Sequence, residues 1–242
     1  MIPVLHPADS TSWNTFGIGA LSDAISCYVT EERNGIFELE MTYPIKGQHY
    51  NDLKNGTRKI ILAKPNFSDD PQPFRIYQIS KPIHGVVTIN AQHLCYDLSG
   101  YVDDPFTAIG AQSTLLALTA NCTPSPCPFT FVSDISDTGN FENTKPMSIR
   151  ALMGGINGSI LTHWHGEWSY NGFECRFRAN RGTDRGVTIR YGKNLTSIKQ
   201  NENIAAVYTG IFPFWHNQDT RVVITLPEKV VNAQGSFGFQ KV

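Results

Sequence analysis

Apolar and polar residues alternate along most of the chain with the period of two that a half-buried β-strand requires. The alternation is clearest at residues 36–43, where Phe37, Leu39 and Met41 would occupy one strand face and Glu38 and Glu40 the other. Similar patterns predict further strands at residues 58–63, 74–81, 86–92, 167–170, 173–178, 187–191, 195–199, 205–213 and 221–226. The pattern therefore predicts a mainly β fold. The strands at 36–43 and 187–191 are expected to have uncovered edges that neighbouring subunits would protect.

Two turn sequences predict hairpins within this fold. The segment PIHG at residues 82–85 links two predicted strands. Asn171-Gly172 links two others with the residue pair most typical of a two-residue turn. The second turn predicts three cross-strand pairs: Tyr170 with Phe173, Glu167 with Arg176, and His165 with Arg178.

Helical signals are confined to the middle of the chain. Asp104 followed by Pro105 is a favourable start for a helix that would run to about Ala120. A shorter helix is predicted at residues 148–153, with Gly154 placed to end it. Turn residues cluster at 99–105 and 192–194. The predicted organisation is a β domain at 1–98, an α+β domain at 99–191, and at 192–242 the start of a second β domain that lacks a closing strand.

Composition excludes several classes of protein. The chain has 242 residues, of which 40% are hydrophobic, and this is enough apolar material for a folded core. Its net charge of −1 argues against a general affinity for nucleic acid or anionic membranes. Apolar runs fall short of the roughly 20 residues of a membrane-spanning helix. The N-terminal residues lack the features of a signal peptide, so folding in the cytosol and no stable membrane association are expected.

The five cysteines, an odd number without regular spacing, argue against a disulfide framework. Cys122 and Cys127 bracket a Thr-Pro-Ser-Pro segment that could fold back and bring them together. A zinc half-site would need a second Cys/His pair with suitable spacing, and we find none. We therefore expect no metal or other cofactor.

The most catalytic-looking cluster is His163, His165 and Glu167. On a strand these three side chains would share one face, and two histidines with a carboxylate suit zinc or non-haem iron. The predicted hairpin places Arg176 and Arg178 beside them, which would pair the carboxylate and disfavour a divalent cation. A solvated ion-pair face is the preferred interpretation, and a metal site remains the alternative.

His93, Cys95 and Asp97 would likewise share a strand face. A nucleophilic cysteine needs a base that is itself positioned by a third group. Residues in line on one strand point in parallel and rarely reach this geometry, so packing is the preferred interpretation.

One charge asymmetry stands out between residues 176 and 199. Seven basic residues there face a single acid, giving a local charge of +6: Arg176, Arg178, Arg181, Arg185, Arg190, Lys193 and Lys199. The preferred interpretation is a partner interface with the acids Glu31, Glu32, Glu38 and Glu40. Contact with passing nucleic acid and a simple solvated face are the alternatives.

Four segments carry a resemblance to a known family: residues 26–45 (SCYVTEERNGIFELEMTYPI), 74–80 with 91–98 (FRIYQIS, AQHLCYDL), 181–195 (RGTDRGVTIRYGKNL) and 208–215 (YTGIFPFW). In this order they resemble the N-terminal hub region of siphophage and prophage tail-associated proteins, the prophage tail endopeptidase family. The region is similar to the central hub of contractile-phage baseplates. The resemblance covers roughly residues 20–225.

The resemblance implies a phage tail hub fold, with β-barrel-type tube domains and a helix-containing inserted domain. It also implies a homotrimeric ring that caps the tail tube, adjoins the distal tail protein and the tape measure, and opens or plugs the channel for passing DNA. The family name implies a peptidase, but we recognise no peptidase active site in this chain.

Three functions follow from these observations. The preferred one is a non-enzymatic virion structural protein at the tail tip, assembled in the bacterial cytoplasm and acting in host cell entry. The alternative is a tail-associated peptidase or cell-wall hydrolase that would use His163, His165 and Glu167, or His93 and Cys95. A third possibility is a carbohydrate- or receptor-binding module built on exposed aromatic residues, namely Trp164, Trp168, Tyr170 and Trp215.

Overall fold

The computed structural model describes residues 1–54, 58–66, 68, 70–195, 197–199, 208–235 and 241. They form two compact units, Met1–Thr183 and Asp184–Val242. No helix within the described ranges is long and apolar enough to cross a membrane. The predicted division at residues 98 and 191 stays a prediction.

The first unit begins with a β-rich half. Its elements are β1 (Val4–His6), β2 (Gly19–Ala20), β3 (Ser26–Glu31), β4 (Phe37–Pro44), α1 (Tyr50–Lys54), β5 (Ile60–Ala63), β6 (Gln72–Ile79) and β7 (Val86–His93). These strands form one antiparallel sheet in the order β2-β1-β5-β6-β7-β4-β3.

The alternation at residues 36–43 forms β4, as predicted, and Phe37, Leu39 and Met41 face the core. Its predicted uncovered edge is wrong, because β4 pairs with β3 on one side and β7 on the other. The hairpin predicted at residues 82–85 is confirmed. Ile83 bridges to Val86, and His84 and Gly85 take the positive φ values of 51° and 80° that this tight turn requires.

The second half of the unit mixes helices and strands. Its elements are a 3-10 helix (Leu94–Gly100), β8 (Val102–Asp103), β9 (Phe106–Ile109), α2 (Ala111–Ala120), β10 (Cys122–Thr123), β11 (Thr130–Ser133), β12 (Asn140–Asn143), β13 (Met147–Ser148), α3 (Ile149–Met153), α4 (Ile160–Trp164), β14 (Glu167–Asn171) and β15 (Glu174–Arg178). The strands form three small groups: β10-β8-β13, β11-β15-β14 and β12-β9.

The helix predictions are half right. α3 is confirmed, since the Ser148 side chain accepts a hydrogen bond from the Ala151 amide and Gly154 follows the last turn. The helix predicted from Pro105 begins only at Ala111. Residues 106–109 instead form β9, because β12 offers them an antiparallel partner, and Gly110 at φ 84° makes the corner into α2.

The hairpin at residue 171 forms, but with a different register. Asn171 pairs with Glu174 and Glu167 pairs with Arg178, so the turn consists of Gly172 and Phe173. Gln72 explains the shift, because its side chain donates to Asn171 Oδ1 (3.0 Å) and accepts from the Gly172 amide (3.0 Å), which keeps Asn171 in the strand. The predicted pairing of Glu167 with Arg176 is therefore wrong.

Two hydrophobic cores fill the first unit. The sheet core lies against the seven-stranded sheet and includes Leu5, Met41, Tyr43, Phe74 and Ile89. The middle core includes Leu115, Phe131, Phe141, Trp168 and Phe177. Tyr170 packs against both cores and joins them.

The second unit contains β16 (Gly210–Ile211), β17 (Phe214–His216), β18 (Val223–Thr225) and β19 (Val231–Asn232). β16 pairs with β19, and β17 pairs with β18. β18 lies within the strand predicted at 221–226. The strand predicted at 187–191 does not form. Its residues are exposed, and Tyr191 forms an isolated β-bridge with Leu195. The chain turns back here because the Asn194 side chain accepts a hydrogen bond from the Arg190 amide (2.7 Å). The strands predicted at 195–199 and 205–213 fall partly outside the described residues.

Candidate functional site

The structure separates the three members of the predicted metal cluster. His163 lies in α4, His165 caps that helix in the left-handed conformation (φ 54°), and Glu167 begins β14. The expectation that all three share a strand face is wrong, because the strand starts only after His165. Within the described ranges, no group of three or more His, Cys, Asp or Glu side chains is arranged to hold a metal ion.

The Glu167 carboxylate binds cationic and amide donors instead. Its Oε1 atom accepts from Arg33 Nη1 at 3.0 Å, and its Oε2 atom accepts from the Arg181 amide at 2.9 Å. The Arg181 amide and Arg33 hold the pKa of Glu167 below its ordinary value. The carboxylate is therefore paired, as the ion-pair interpretation expected, but with partners other than Arg176.

The second predicted cluster is a buried structural turn. His93 ends β7, and Cys95 lies in the 3-10 helix that follows. His93 Nδ1 accepts from the Cys95 amide (3.1 Å), and Nε2 lies 3.3 Å from Gln72 Oε1. Burial, reinforced by Arg150, lowers the pKa of His93 to about 3, and burial raises the pKa of Cys95 to about 12. At neutral pH this pair is a neutral imidazole and a thiol.

Asp97, the third member, points its carboxylate elsewhere. It accepts from Arg75 Nε at 2.7 Å and from Arg58 Nη2 at 3.3 Å. Arg75 also donates to the carbonyl oxygens of Ala8 and Arg58, both at 2.9 Å. These contacts tie the 3-10 helix to β6 and to the chain preceding β5.

The predicted basic stretch is divided between the two units. In the first unit, three arginines line a cleft of about 220 Å³ together with polar residues of β14 and the chain before β6: Arg176, Arg178, Arg181, Ser169, Asn171 and Asp70. Arg176 forms an ion pair with Glu174. Arg178 has no ion-pair partner among the described residues. In the second unit, Arg185, Arg190 and Lys193 have exposed side chains.

The predicted acidic stretch meets the basic one inside the chain. Arg181 Nη1 lies 2.6 Å from Glu31 Oε1, in a pair whose side chains are 31% and 11% exposed. Arg33 reaches Glu167 from the turn after β3, and Asn34 donates to Gly166 O (3.0 Å) and accepts from the Trp168 amide (2.9 Å). We call this set of contacts the turn seam. Glu31 and Arg181 thus have partners within one chain.

The remaining predicted acids face outward. Glu40 lies on the solvent side of β4, opposite Tyr28 of β3 and Asn90 of β7. Glu38 lies on the same side and is partly exposed, and Glu32 lies in the turn. Within the described part of the chain, β3 pairs only with β4, so its other edge is open.

The aromatic residues considered for ligand binding are mostly core residues. Trp164 is 9% and Trp168 is 2% exposed, and Trp168 Nε1 donates to Met153 O at 3.2 Å. Tyr170 accepts a hydrogen bond from Arg150 Nη1 at 3.1 Å, and burial raises its pKa. Trp215, in the second unit, is 54% exposed.

Sequence reasoning missed the polar junction between the two cores. Arg150 donates to Tyr170 and lies over the Tyr96 ring, with 4.8 Å between Cζ and the ring centroid. Tyr96 in turn accepts from the Phe37 amide at 3.3 Å. Arg150 comes from a short helix and Tyr96 from a 3-10 turn, so no periodicity signals that they meet.

Sequence reasoning also missed the buried carboxyl group of Asp103. Asp103 is fully buried in β8, and neither carboxyl oxygen has a hydrogen-bond partner among the described residues. Burial, together with the neighbouring Asp104, raises the pKa of Asp103 to about 7. Cys122 and Met147 lie opposite it on the two flanking strands.

This chain is similar in structure to a known protein. No family model matches the sequence, and no curated protein matches it. Among solved structures, the chain is similar to prophage tail protein gp18 from Listeria monocytogenes EGD-e, with a TM-score of 0.60 at 14% sequence identity. The similarity covers 94% of this chain and 68% of that one. The chain therefore has the mainly β fold of a prophage tail protein.

Proposed function

We propose that this protein is a structural component of a phage tail and that it forms a homotrimeric hub ring at the tail tip. The observation that carries the proposal is the fold likeness to a prophage tail protein over 94% of the chain. In this role the ring caps the tail tube, contacts the distal tail protein and the tape measure, and surrounds the path of the DNA during host cell entry. The protein makes no stable membrane contact and is assembled in the bacterial cytoplasm.

The proposed contact between copies joins opposite charges. Glu38 and Glu40 lie on the outward face of β4, whereas Arg185, Arg190 and Lys193 are exposed in the second unit. Glu31 and Arg181 are already paired within one chain, so they contribute little to such a contact. Opposite charges at an interface fix its orientation and speed its formation more than they add affinity.

Apolar surface in the second unit supplies a driving force for the same assembly. The β17–β18 hairpin exposes apolar side chains from both strands, including Phe214 (66%), Trp215 (54%), Val223 (57%) and Ile224 (58%). Large exposed apolar patches mark interaction sites. Covering this hairpin with a neighbouring copy would remove it from water.

The mass in solution tests the proposal. Light scattering across a concentration series should give a trimer, or a mass that rises toward one. Arg185→Glu with Arg190→Glu should shift the midpoint of this rise to at least tenfold higher concentration, and more so at low ionic strength. Lys81→Glu with Lys145→Glu, which makes the same charge change at exposed positions of the first unit, is the control.

A second pair of variants tests the partner surface. Glu38→Arg with Glu40→Arg should weaken the same association, and mixing this protein with the Arg185→Glu, Arg190→Glu protein should restore mixed assemblies. A strict monomer at high concentration would refute the homotrimer. Unchanged association in both charge-reversed proteins would refute the charged interface.

A further inference from the structure

Two cysteine side chains meet at the corner between β10 and β11. Cys122 is the first residue of β10, and four residues, 123–126, separate it from Cys127. The Cys122 thiol donates to Pro124 O at 3.7 Å, so the loop folds back over its sulfur. The two thiols lie close enough to affect each other's pKa, and both side chains pack against the middle core.

The two thiols differ in their access to solvent. Cys122 is buried at 5% exposure, whereas Cys127 is partly exposed. Cys95 and Cys175 are completely buried, and partly exposed Cys27 packs against the sheet core rather than the middle core. Cys127 is therefore an accessible thiol near a second thiol that is buried.

We propose that Cys122 and Cys127 form a reversible intramolecular disulfide when the protein meets a small-molecule disulfide. The Cys127 thiolate attacks one sulfur of the small disulfide, forming a mixed disulfide and releasing one small thiolate. The Cys122 thiolate then attacks the Cys127 sulfur and releases the second small thiolate. Two protons pass from the cysteines to the released thiols. The cysteine pair loses two electrons, and the small disulfide gains them.

The surroundings of the two cysteines set the rate at which the disulfide forms. Burial raises the pKa of Cys127 to about 11 and also raises that of Cys122, so only a small fraction is thiolate at neutral pH. Since the thiolate is the attacking species, closure is slow at pH 7 and speeds up as the pH rises. The pair therefore stays reduced during brief exposure and closes during prolonged exposure.

Closure would join the first residue of β10 to the segment that leads into β11. The cross-link spans a short loop, whose entropy in the unfolded chain it reduces. For a loop of this length we expect the melting temperature to rise by roughly 5 °C.

The test uses the full chain, reduced and then exposed to oxidised glutathione at pH 7 and pH 8.5. Intact mass should fall by two hydrogen atoms, faster at the higher pH, and peptide mapping should find Cys122 joined to Cys127. A reductant should restore the original mass. Cys122→Ser should stop the reaction at a glutathione adduct on Cys127, and Cys27→Ser should close like the parent protein.

Peptide mapping of the unaltered protein gives the decisive result, even if a variant fails to fold. A linked Cys122–Cys127 peptide from protein that keeps its native circular dichroism supports the inference. Glutathione adducts that persist separately on the two cysteines, or full alkylation of both after prolonged oxidation, would overturn it.

Discussion

Replacing Asp103 with asparagine should make the protein more stable at neutral and alkaline pH. The carboxyl group is fully buried, lacks a hydrogen-bond partner among the described residues, and has a second acid, Asp104, beside it. Strand neighbours Cys122 and Met147 offer it no positive charge. Ionisation therefore places an unpaired charge in the middle core, and an amide of the same shape cannot ionise.

The size of the effect follows from the two pKa values of Asp103. Burial raises the native pKa to about 7 from an ordinary value of 3.8. Between these two values the native state holds a proton that the unfolded state has released, so native stability falls as the pH rises and is level above pH 7. At 1.36 kcal/mol per pKa unit the full loss is about 4 kcal/mol, an upper value because local relaxation lowers the cost of the charge.

Denaturant unfolding of the parent and Asp103→Asn proteins between pH 4 and pH 8 measures this effect. Their free energies of unfolding should differ little near pH 4, where the native side chain is neutral in both proteins and ionisation of the unfolded Asp103 has just begun to matter, and separate to about 2–4 kcal/mol by pH 8. Taking the difference removes the opposite trend expected from His93, whose lowered pKa costs stability as the pH falls. Asp9→Asn, at an exposed position, should change little at any pH. A difference that does not vary with pH, or a variant less stable at pH 8, would refute this reasoning.

Two further predictions concern residues of the turn seam. Gly166→Ala should lower the free energy of unfolding by about 1–3 kcal/mol, because the added methyl carbon would lie 2.6 Å from Phe177 Cζ and 2.7 Å from Arg178 O. Gly182→Ala, where no atom lies within 4 Å, is the control, and equal losses in the two variants would contradict the packing argument. In a double-mutant cycle, Glu31→Gln and Arg181→Gln should show a coupling of about 1 kcal/mol, reduced by salt. A coupling near zero at low salt would mean that this ion pair adds nothing to the turn seam.

The sequence predicted the elements whose pattern is local. The strict alternation at residues 36–43 and the Ser148 cap of α3 depend on neighbouring residues, and both appear where expected. The start of α2 could not be predicted from local pattern, because residues 106–109 pair as a strand with β12, which lies some 30 residues further along the chain. The register of the β14–β15 hairpin was missed for the same reason, since Gln72 fixes it from a distant strand.

The candidate sites were harder to predict than the fold, because they also depend on contacts between residues distant in the sequence. Predicting His163, His165 and Glu167 on one face required a continuous strand, but the chain is helical up to Trp164 and turns at His165. The buried Asp103 gave no signal at all, because a single acid between a valine and another acid resembles an ordinary surface turn. Only the packing of β10 and β13 on either side of β8 shows that this carboxyl group is enclosed.

Experiment can separate the charged residues that stabilise the fold from those proposed to control association between copies. Arg181 and Glu31 close the turn seam, which ties the β3–β4 turn to β14, so their loss should lower stability. Arg185 and Arg190 are exposed in the second unit and have no carboxylate partner among the described residues, so their loss should leave stability unchanged. If the hub proposal is right, the same two arginines control association between copies. Variants at Arg181 should then lower the melting temperature without changing the mass in solution, whereas variants at Arg185 and Arg190 should do the reverse. If all these basic residues formed one functional surface, each substitution would instead change both the melting temperature and the mass in solution.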